Sequence, residues 1–341
     1  PAAIITTSGT AVANLLPAVV EADLSNRPLL MLSADRPSEL RERGANQTIQ
    51  QAGIYGDRTR WEFDPGPAED RSGSNALWRS VVCRAVAAAR GLDGGMPGPV
   101  HLNLPFREPL VPATDDGRVS AEPFASATDG RSDGAPWTEV GERTPWGLPR
   151  SDENERTLVV VGDAAGEVDV DLTGVAFVAE PHSNKRSSGA LTGLHYLASH
   201  RSRERWIPDA VITVGRVGLS RQLGNWLSGL PTTAIDPSGR WLDPSAHASR
   251  VVQHSSVPLA DSGWLQGLRE VDSAVRVAVN DEIDRWEEMS EPRIARDTAR
   301  AAQRGRLVVA SSMPIRDLDL FMDADVSSVV SNRGASGIDG F

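Results

Sequence analysis

Two stretches of the chain hold side chains whose types and spacing suit chemistry. Ser331 to Gly340 reads Ser-Asn-Arg-Gly-Ala-Ser-Gly-Ile-Asp-Gly, a glycine-punctuated loop with one arginine directly after a short apolar run. Arg36 to Gln47 reads Arg-Pro-Ser-Glu-Leu-Arg-Glu-Arg-Gly-Ala-Asn-Gln, again after an apolar run. Both have the form of strand-end loops that present cationic and amide groups. A guanidinium pairs with a carboxylate through two parallel hydrogen bonds, so such loops suit an enzyme that holds a multiply carboxylated small molecule.

The elements that must position these loops are alternating strands and helices. Ile4 to Thr7 is a strand candidate, and Ser8 or Thr10 can cap a helix whose apolar face carries Ala11, Val12, Leu15, Leu16, Val19 and Val20. Pro17 inside that pattern predicts a kink or a late helix start. Leu29 to Leu32 suits a buried parallel strand, Asn75 to Arg90 has helical spacing with Gly91 as its C-terminal cap, and Val100, Leu102 and Leu104 alternate as another strand. Residues 111–155 lack a sustained period and are expected to form a linker. A second unit has strand candidates at Thr157 to Val161, Val175 to Ala179, Ala210 to Val214, Thr232 to Ile235 and Arg250 to Gln253. A third begins near Val271, with a helix expected over Ala274 to Met289 and a second one capped by Ser290 and ended by Gly305. Strands follow at Leu307 to Ala310 and Val326 to Val330, around a helix from Pro314 to Met322. The order implies an α/β layer architecture with parallel sheets.

Bulk properties narrow the function. At 341 residues the chain is long enough for two or three domains. A net charge of −11 with no long basic run argues against a nucleic-acid partner. No apolar run approaches the roughly eighteen residues of a membrane span, and the start has no basic, cleavable leader, so the expectation is a cytoplasmic protein. Lys185 is the only lysine, so an arginine by itself says little and its position must carry the argument. Cys83 is the only cysteine and is expected to be a buried structural residue.

The ordered motifs Thr7 to Asn14, Ser33 to Pro37, Gly44 to Thr48 and Gly98 to Pro105 resemble the pyrimidine-binding domain of thiamine diphosphate enzymes. More narrowly, these motifs together with Gly239 to Pro244, Ser312 to Arg316 and Ser331 to Gly340 resemble the 2-succinyl-5-enolpyruvyl-6-hydroxy-3-cyclohexene-1-carboxylate synthases of menaquinone biosynthesis. The resemblance implies a three-domain α/β architecture with the first and last domains incomplete: residues 1–112 the C-terminal part of the pyrimidine-binding domain, 113–155 a linker, 156–265 a central domain and 270–341 the start of the diphosphate-binding domain. It implies thiamine diphosphate with magnesium or manganese, a homodimer or homotetramer, and the joining of 2-oxoglutarate to isochorismate with loss of carbon dioxide. Residue by residue, it puts Arg36, Asn46, Gln47, Ser312, Arg316 and Arg333 at the substrates, with Arg221 at a loosely matched basic position and Gln222 where the family often has a second basic residue. Ile338 falls at the apolar position that props the cofactor. The activating glutamate is expected before Pro1 and the metal motif after Phe341, so this stretch by itself is expected to be inactive. The rival readings are another 2-keto acid enzyme of the acetolactate synthase type, and an inactive fragment that only binds anions or partner subunits.

Blander readings stand beside these. Arg41 and Arg43 are expected to be solvated, and His101, His182 and His247 to be strand-end or surface histidines. Gly162 to Gly166 lacks a dinucleotide fingerprint and reads as a tight turn. Lys185 and Arg186 form a small basic patch, expected to be a solvated loop, with a regulatory anion site as the sharper alternative.

Overall fold

A computed structural model describes residues 1–68, 74–110, 130–140, 146–163, 168–186 and 189–337. The chain divides into two compact units, Pro1–Arg143 and Thr144–Phe341.

The first unit is built on a parallel sheet. Its strands are β1 (Ala2–Thr6), β2 (Leu29–Asp35), β3 (Trp61–Phe63) and β4 (Pro99–Pro105), in the order β1-β2-β4-β3. The run from Leu29 is buried at every second residue, and β4 is buried along nearly its whole length. β4 therefore carries the apolar residues Val100 and Leu102 and also the polar His101 and Asn103 inside the protein. The Pro17 expectation is met: a short helix over Thr10–Ala13 ends, and a new one starts at Leu16–Leu24 with Pro17 in its first turn, where the missing N–H costs nothing. Val12, Val19 and Met31 pack with Tyr55, whose hydroxyl donates to the Val12 carbonyl at 2.7 Å. The helix Ser74–Arg90 sets Val81, Ala85, Ala88 and Ala89 against Val100 and Leu102. Cys83 is not buried as expected. It is half-exposed in an apolar cleft with Trp78 and Trp137, because its side of the helix faces away from the sheet.

The second unit has a central parallel sheet of five strands. Two short strands, β5 (Trp146–Leu148) and β6 (Arg150–Glu155), precede β7 (Thr157–Val161), and β8 (Val168–Val170) precedes β9 (Ala176–Ala179). Then come β10 (Ala210–Val214), β11 (Thr232–Ile235), β12 (Arg250–Val252) and β13 (Val257–Ala260). The central order is β12-β11-β10-β7-β9, while β6 pairs with β13 and β5 with β8. Both faces of the central sheet are covered, which explains its continuous apolar runs. Leu158, Val160, Ala176, Val178 and Val211 face one way, towards Trp264 and Leu268. Val159, Val161, Phe177, Ile212 and Val214 face the other. The strands β5 and β6 correct the expectation of unstructured chain up to residue 155: their order comes from pairing with strands distant in sequence, which periodicity does not reveal.

Beyond the central sheet, one helix spans Ser262–Arg285, starting earlier than the expected Ala274, with Asp261 capping it by accepting the Trp264 amide at 2.8 Å. Ser290 caps the next helix, Glu291–Ala301. A separate parallel pair, β14 (Arg306–Val309) and β15 (Ser328–Ser331), flanks the helix Met313–Phe321 in sequence. Ala299, Ile315, Leu318 and Val329 form its core.

Candidate functional site

In the first unit the site elements converge on the carboxyl end of β2 and β4, where parallel sheets take their ligands. The chain leaves β1 through Thr7 and Ser8 and turns at Gly9, whose φ of 84° is open to glycine at little cost. The Ser8 hydroxyl donates to the Gln47 carbonyl at 2.9 Å and accepts from Arg36 Nη1 at 3.0 Å. The Gln47 amide donates back to Thr7 Oγ1 at 2.8 Å and to the Ser8 carbonyl at 3.1 Å. Arg36 and Gln47, expected at the substrates, are thus brought together through Ser8. Asn46 next to them is exposed and gives its carbonyl to Thr48.

Beneath this surface lies a buried polar network. Asn103 donates to Asp35 at 2.8 Å and to Asp64 at 2.9 Å, and accepts from Gln51 at 2.8 Å and Ser33 at 3.1 Å. Arg41 pairs with Asp35 and Asp64, both at 2.8 Å, which corrects its solvated reading. The Arg41 guanidinium holds the Asp64 carboxyl below the usual range. His101 is also corrected: it is fully buried, its Nε2 is 2.7 Å from the Ser33 hydroxyl, and burial pushes its basicity down. Arg43 is exposed, as expected.

In the second unit, Ser312, Arg316 and Arg333 lie in the loops at the carboxyl ends of β14 and β15 and the helix that follows. Ser312 is exposed at the start of the helix, and Arg316 donates to its carbonyl at 3.0 Å. Arg333 is half-buried and donates to the Ser311 carbonyl at 3.2 Å. Burial draws its guanidinium's pKa down, against the pull of Glu180. Arg221 is exposed, opens the helix Arg221–Leu227 and lines a cavity of about 790 Å³ together with Arg316, Glu180 and His195. Ile338 lies outside the described residues.

Charge is also buried around the Glu180 loop. Glu180 accepts the amides of Gly218 and Leu219, both at 2.7 Å, and burial beside Asp319 pushes its carboxyl up to about 8. His182, expected at a strand end or the surface, stands just past the end of β9, buried, and is pushed down to about 4 by desolvation. The side chain of Arg186 is not in a solvated patch. It reaches inward to the Asp319 carboxylate at 3.2 Å and the Asp319 carbonyl at 2.7 Å, so the charge assigned to that patch is already spent on an internal ion pair. His247 is exposed, as expected. The sequence reading missed Gln51, Asn103, Glu180 and Asp319 as members of these networks. The available signal was a polar residue at an inward position of an otherwise apolar strand, or directly after one, and it marks only Asn103 and Glu180.

The carboxyl end of β15 tests whether a cofactor is accommodated. Ser331 Oγ and Asn332 Oδ1 are buried with no hydrogen-bond partner. A polar ligand would satisfy them, so the residues there fit one end of a group such as thiamine diphosphate. Among the described residues no group of three or more His, Cys, Asp or Glu side chains is placed to hold a metal ion. No described helix is long and apolar enough to cross a membrane.

Residues 1–54 match the family model described as thiamine pyrophosphate enzyme, N-terminal TPP binding domain. Along its whole length the chain is 41% identical to a curated protein of Thermobifida fusca named 2-succinyl-5-enolpyruvyl-6-hydroxy-3-cyclohexene-1-carboxylate synthase, covering 62% of it. Proteins of the same name from Saccharopolyspora erythraea and Nocardia farcinica are 39% and 38% identical, again over the whole of this chain and 62% of theirs. The chain therefore spans about three-fifths of the length of the curated relatives it matches.

Proposed function

We propose that this chain belongs to the thiamine diphosphate enzymes and forms the substrate-binding part of a synthase that joins 2-oxoglutarate to isochorismate with loss of carbon dioxide. The observation that carries the reading is the whole-chain similarity to proteins named as such synthases, with arginines standing at strand-end loops. Both substrates are dianions, and each carboxylate asks for a fork of two N–H donors.

In this reading Arg36 and Gln47 are the substrate-binding residues of the first unit, and Ser312, Arg316 and Arg333 those of the second. Asn46 adds an exposed amide beside Gln47. Arg221 offers a further cation, and Ile338 an apolar prop for the cofactor. Bound thiamine diphosphate supplies the nucleophilic carbon and the electron sink that decarboxylation of a 2-keto acid requires. Ser331 and Asn332 are the residues of this chain that would meet it. The protein's own contribution is to bind, orient and desolvate. Arg333 is half-buried, so its charge is less screened by water and acts more strongly on an incoming carboxylate.

We assign residues 1–112 to the pyrimidine-binding domain, 156–265 to a central domain and 270–341 to the start of the diphosphate-binding domain. The β14–β15 pair is separate from the central sheet, while the helix Ser262–Arg285 runs across residues 265–270. We further place the protein in the cytoplasm as a homodimer or homotetramer that takes magnesium or manganese, and derive no step through the metal.

The test uses the protein that carries this chain at its native length. Carbon dioxide release should require 2-oxoglutarate, isochorismate, thiamine diphosphate and magnesium together. Equal turnover of pyruvate without isochorismate would replace the reading with a 2-keto acid enzyme of the acetolactate synthase type. No turnover of either would favour an inactive, anion-binding chain.

A further inference from the structure

We propose that Arg216 is the positioning residue of the Arg333 loop. Its guanidinium clamps the backbone of that loop from the central sheet and so sets where the Arg333 side chain stands. The inference rests on the reading of Arg333 as a substrate-carboxylate ligand.

The root of Arg216 is fixed. It follows β10, and its backbone forms an antiparallel bridge with Asp163 after β7, with Asp163 N to Arg216 O and Arg216 N to Asp163 O both 2.8 Å. Gly215 donates to the Ile235 carbonyl of β11 at 3.0 Å. Gly162 passes so close that an added Cβ would lie 2.0 Å from the Arg216 carbonyl oxygen, so the crossing needs glycine there. Just downstream, Gly218 and Leu219 are anchored on Glu180. Three strands and a buried carboxyl therefore hold the segment from which Arg216 projects.

Its tip lies on the loop. Arg216 Nη1 donates to the Arg333 carbonyl at 2.9 Å and to the Gly334 carbonyl. Within its own region the loop is also held by Ser311 Oγ to the Gly337 carbonyl at 2.7 Å, Asn332 Nδ2 to the same carbonyl at 3.1 Å, and Ser336 Oγ to the Arg333 carbonyl at 3.2 Å. Arg216 thus ties the loop to the central sheet. A planar guanidinium can serve two successive carbonyls, which an ammonium on a flexible stem does less well. The clamp also sets a second positive charge near Arg333, which favours a carboxylate arriving there.

The experiment compares Arg216→Gln and Arg216→Lys with the native-length protein. It measures KM for 2-oxoglutarate, kcat, melting temperature, and amide hydrogen exchange across residues 331–337. For Arg216→Gln, KM should rise by about tenfold with a smaller change in kcat, as expected for losing a charge-assisted contact to the binding loop. Exchange should quicken in 331–337 and stay unchanged elsewhere, and Arg216→Lys should recover part of both effects. Unchanged exchange in 331–337 would overturn the inference. So would faster exchange throughout the unit with kcat and KM moving together, since that marks a general structural role. If the native protein turns over no 2-oxoglutarate, the proposed reaction fails, and the exchange of 331–337 alone decides for or against Arg216.

Discussion

The side-chain oxygen of Gln51 accepts the backbone amide of Gly9 at 2.7 Å, deep in the first unit. The other end of the Gln51 amide donates to the Ala34 carbonyl at 3.0 Å and to Asn103 at 2.8 Å. One nearly fully buried amide thus ties the turn after β1 to the ends of β2 and β4. Replacing Gln51 with Leu, close in volume, leaves the Gly9 N–H and the Ala34 carbonyl buried without this partner. The expected loss of stability is about 2 kcal/mol, measured by urea unfolding. Loss within a few tenths would show that water takes the place of the amide.

Gly9 itself is a second constraint on this turn. Its φ is 84°, and a Cβ there would stand 3.1 Å from Gln47 Cγ. Gly9→Ala should therefore cost about 1–3 kcal/mol through a backbone conformation that essentially only glycine adopts, and push Gln47 off Thr7 and Ser8. The reading predicts a larger rise in KM for Gly9→Ala than for Gly44→Ala, where φ is also positive but no atom lies within 4 Å of the added Cβ. Equal KM values in the two variants would detach Gln47 from binding.

The arginines proposed to bind substrate make a prediction of a different kind. Arg333→Ala should raise KM and lower kcat together, while Arg36→Lys keeps the charge but loses the planar fork. If both bind carboxylates, Arg36→Lys should still lose at least about tenfold in kcat/KM, because a bidentate pair is not replaced by a point charge. Kinetics like those of the unmodified protein for either variant would remove that residue from the site.

The strand-helix alternation and the strand-end location of both arginine loops were legible, because each depends on local periodicity and on turn residues next to apolar runs. Pro17 marked the restart of a helix for the same reason. What escaped was set by partners distant in sequence. Nothing around Arg41 distinguishes it from Arg43, yet one is held by Asp35 and Asp64 and the other is exposed. Arg186 stands in a stretch of polar residues, and its burial follows from Asp319, more than a hundred residues away. β6 has no apolar alternation and is a strand because β13 pairs with it.

The Arg186–Asp319 pair leads to a stability prediction in which the double variant decides. Both side chains are buried, so Arg186→Met alone leaves an uncompensated carboxylate and should destabilise by about 3–5 kcal/mol. Adding Asp319→Leu removes that charge, and the double variant should be more stable than Arg186→Met alone. Additive losses in thermal unfolding would mean that the two side chains contribute independently, through packing.

Glu180 and His182 give the protein a pH dependence whose sign can be worked out. Glu180 has its carboxyl raised from 4.5 to about 8, chiefly by burial, with Asp319 adding to the rise and the Gly218 and Leu219 amides and Arg333 opposing it. Between those values the folded protein holds a proton that the unfolded chain has released, so Glu180's contribution to stability falls as pH rises through that window. His182 is lowered from 6.5 to about 4, so its contribution is present above pH 6.5 and is lost as pH falls towards 4. The two slopes oppose each other between 4.5 and 6.5, and from 6.5 to about 8 the Glu180 slope stands without the other. Glu180→Gln keeps an oxygen to accept from Gly218 and Leu219 and removes the titration. The variant should therefore gain on the unmodified protein as pH rises towards 8, by on the order of 1 kcal/mol per pH unit, in urea unfolding at a series of pH values. Parallel pH profiles for the two proteins would mean that Glu180 is ionised throughout, with its charge balanced by Arg333 and the two amides.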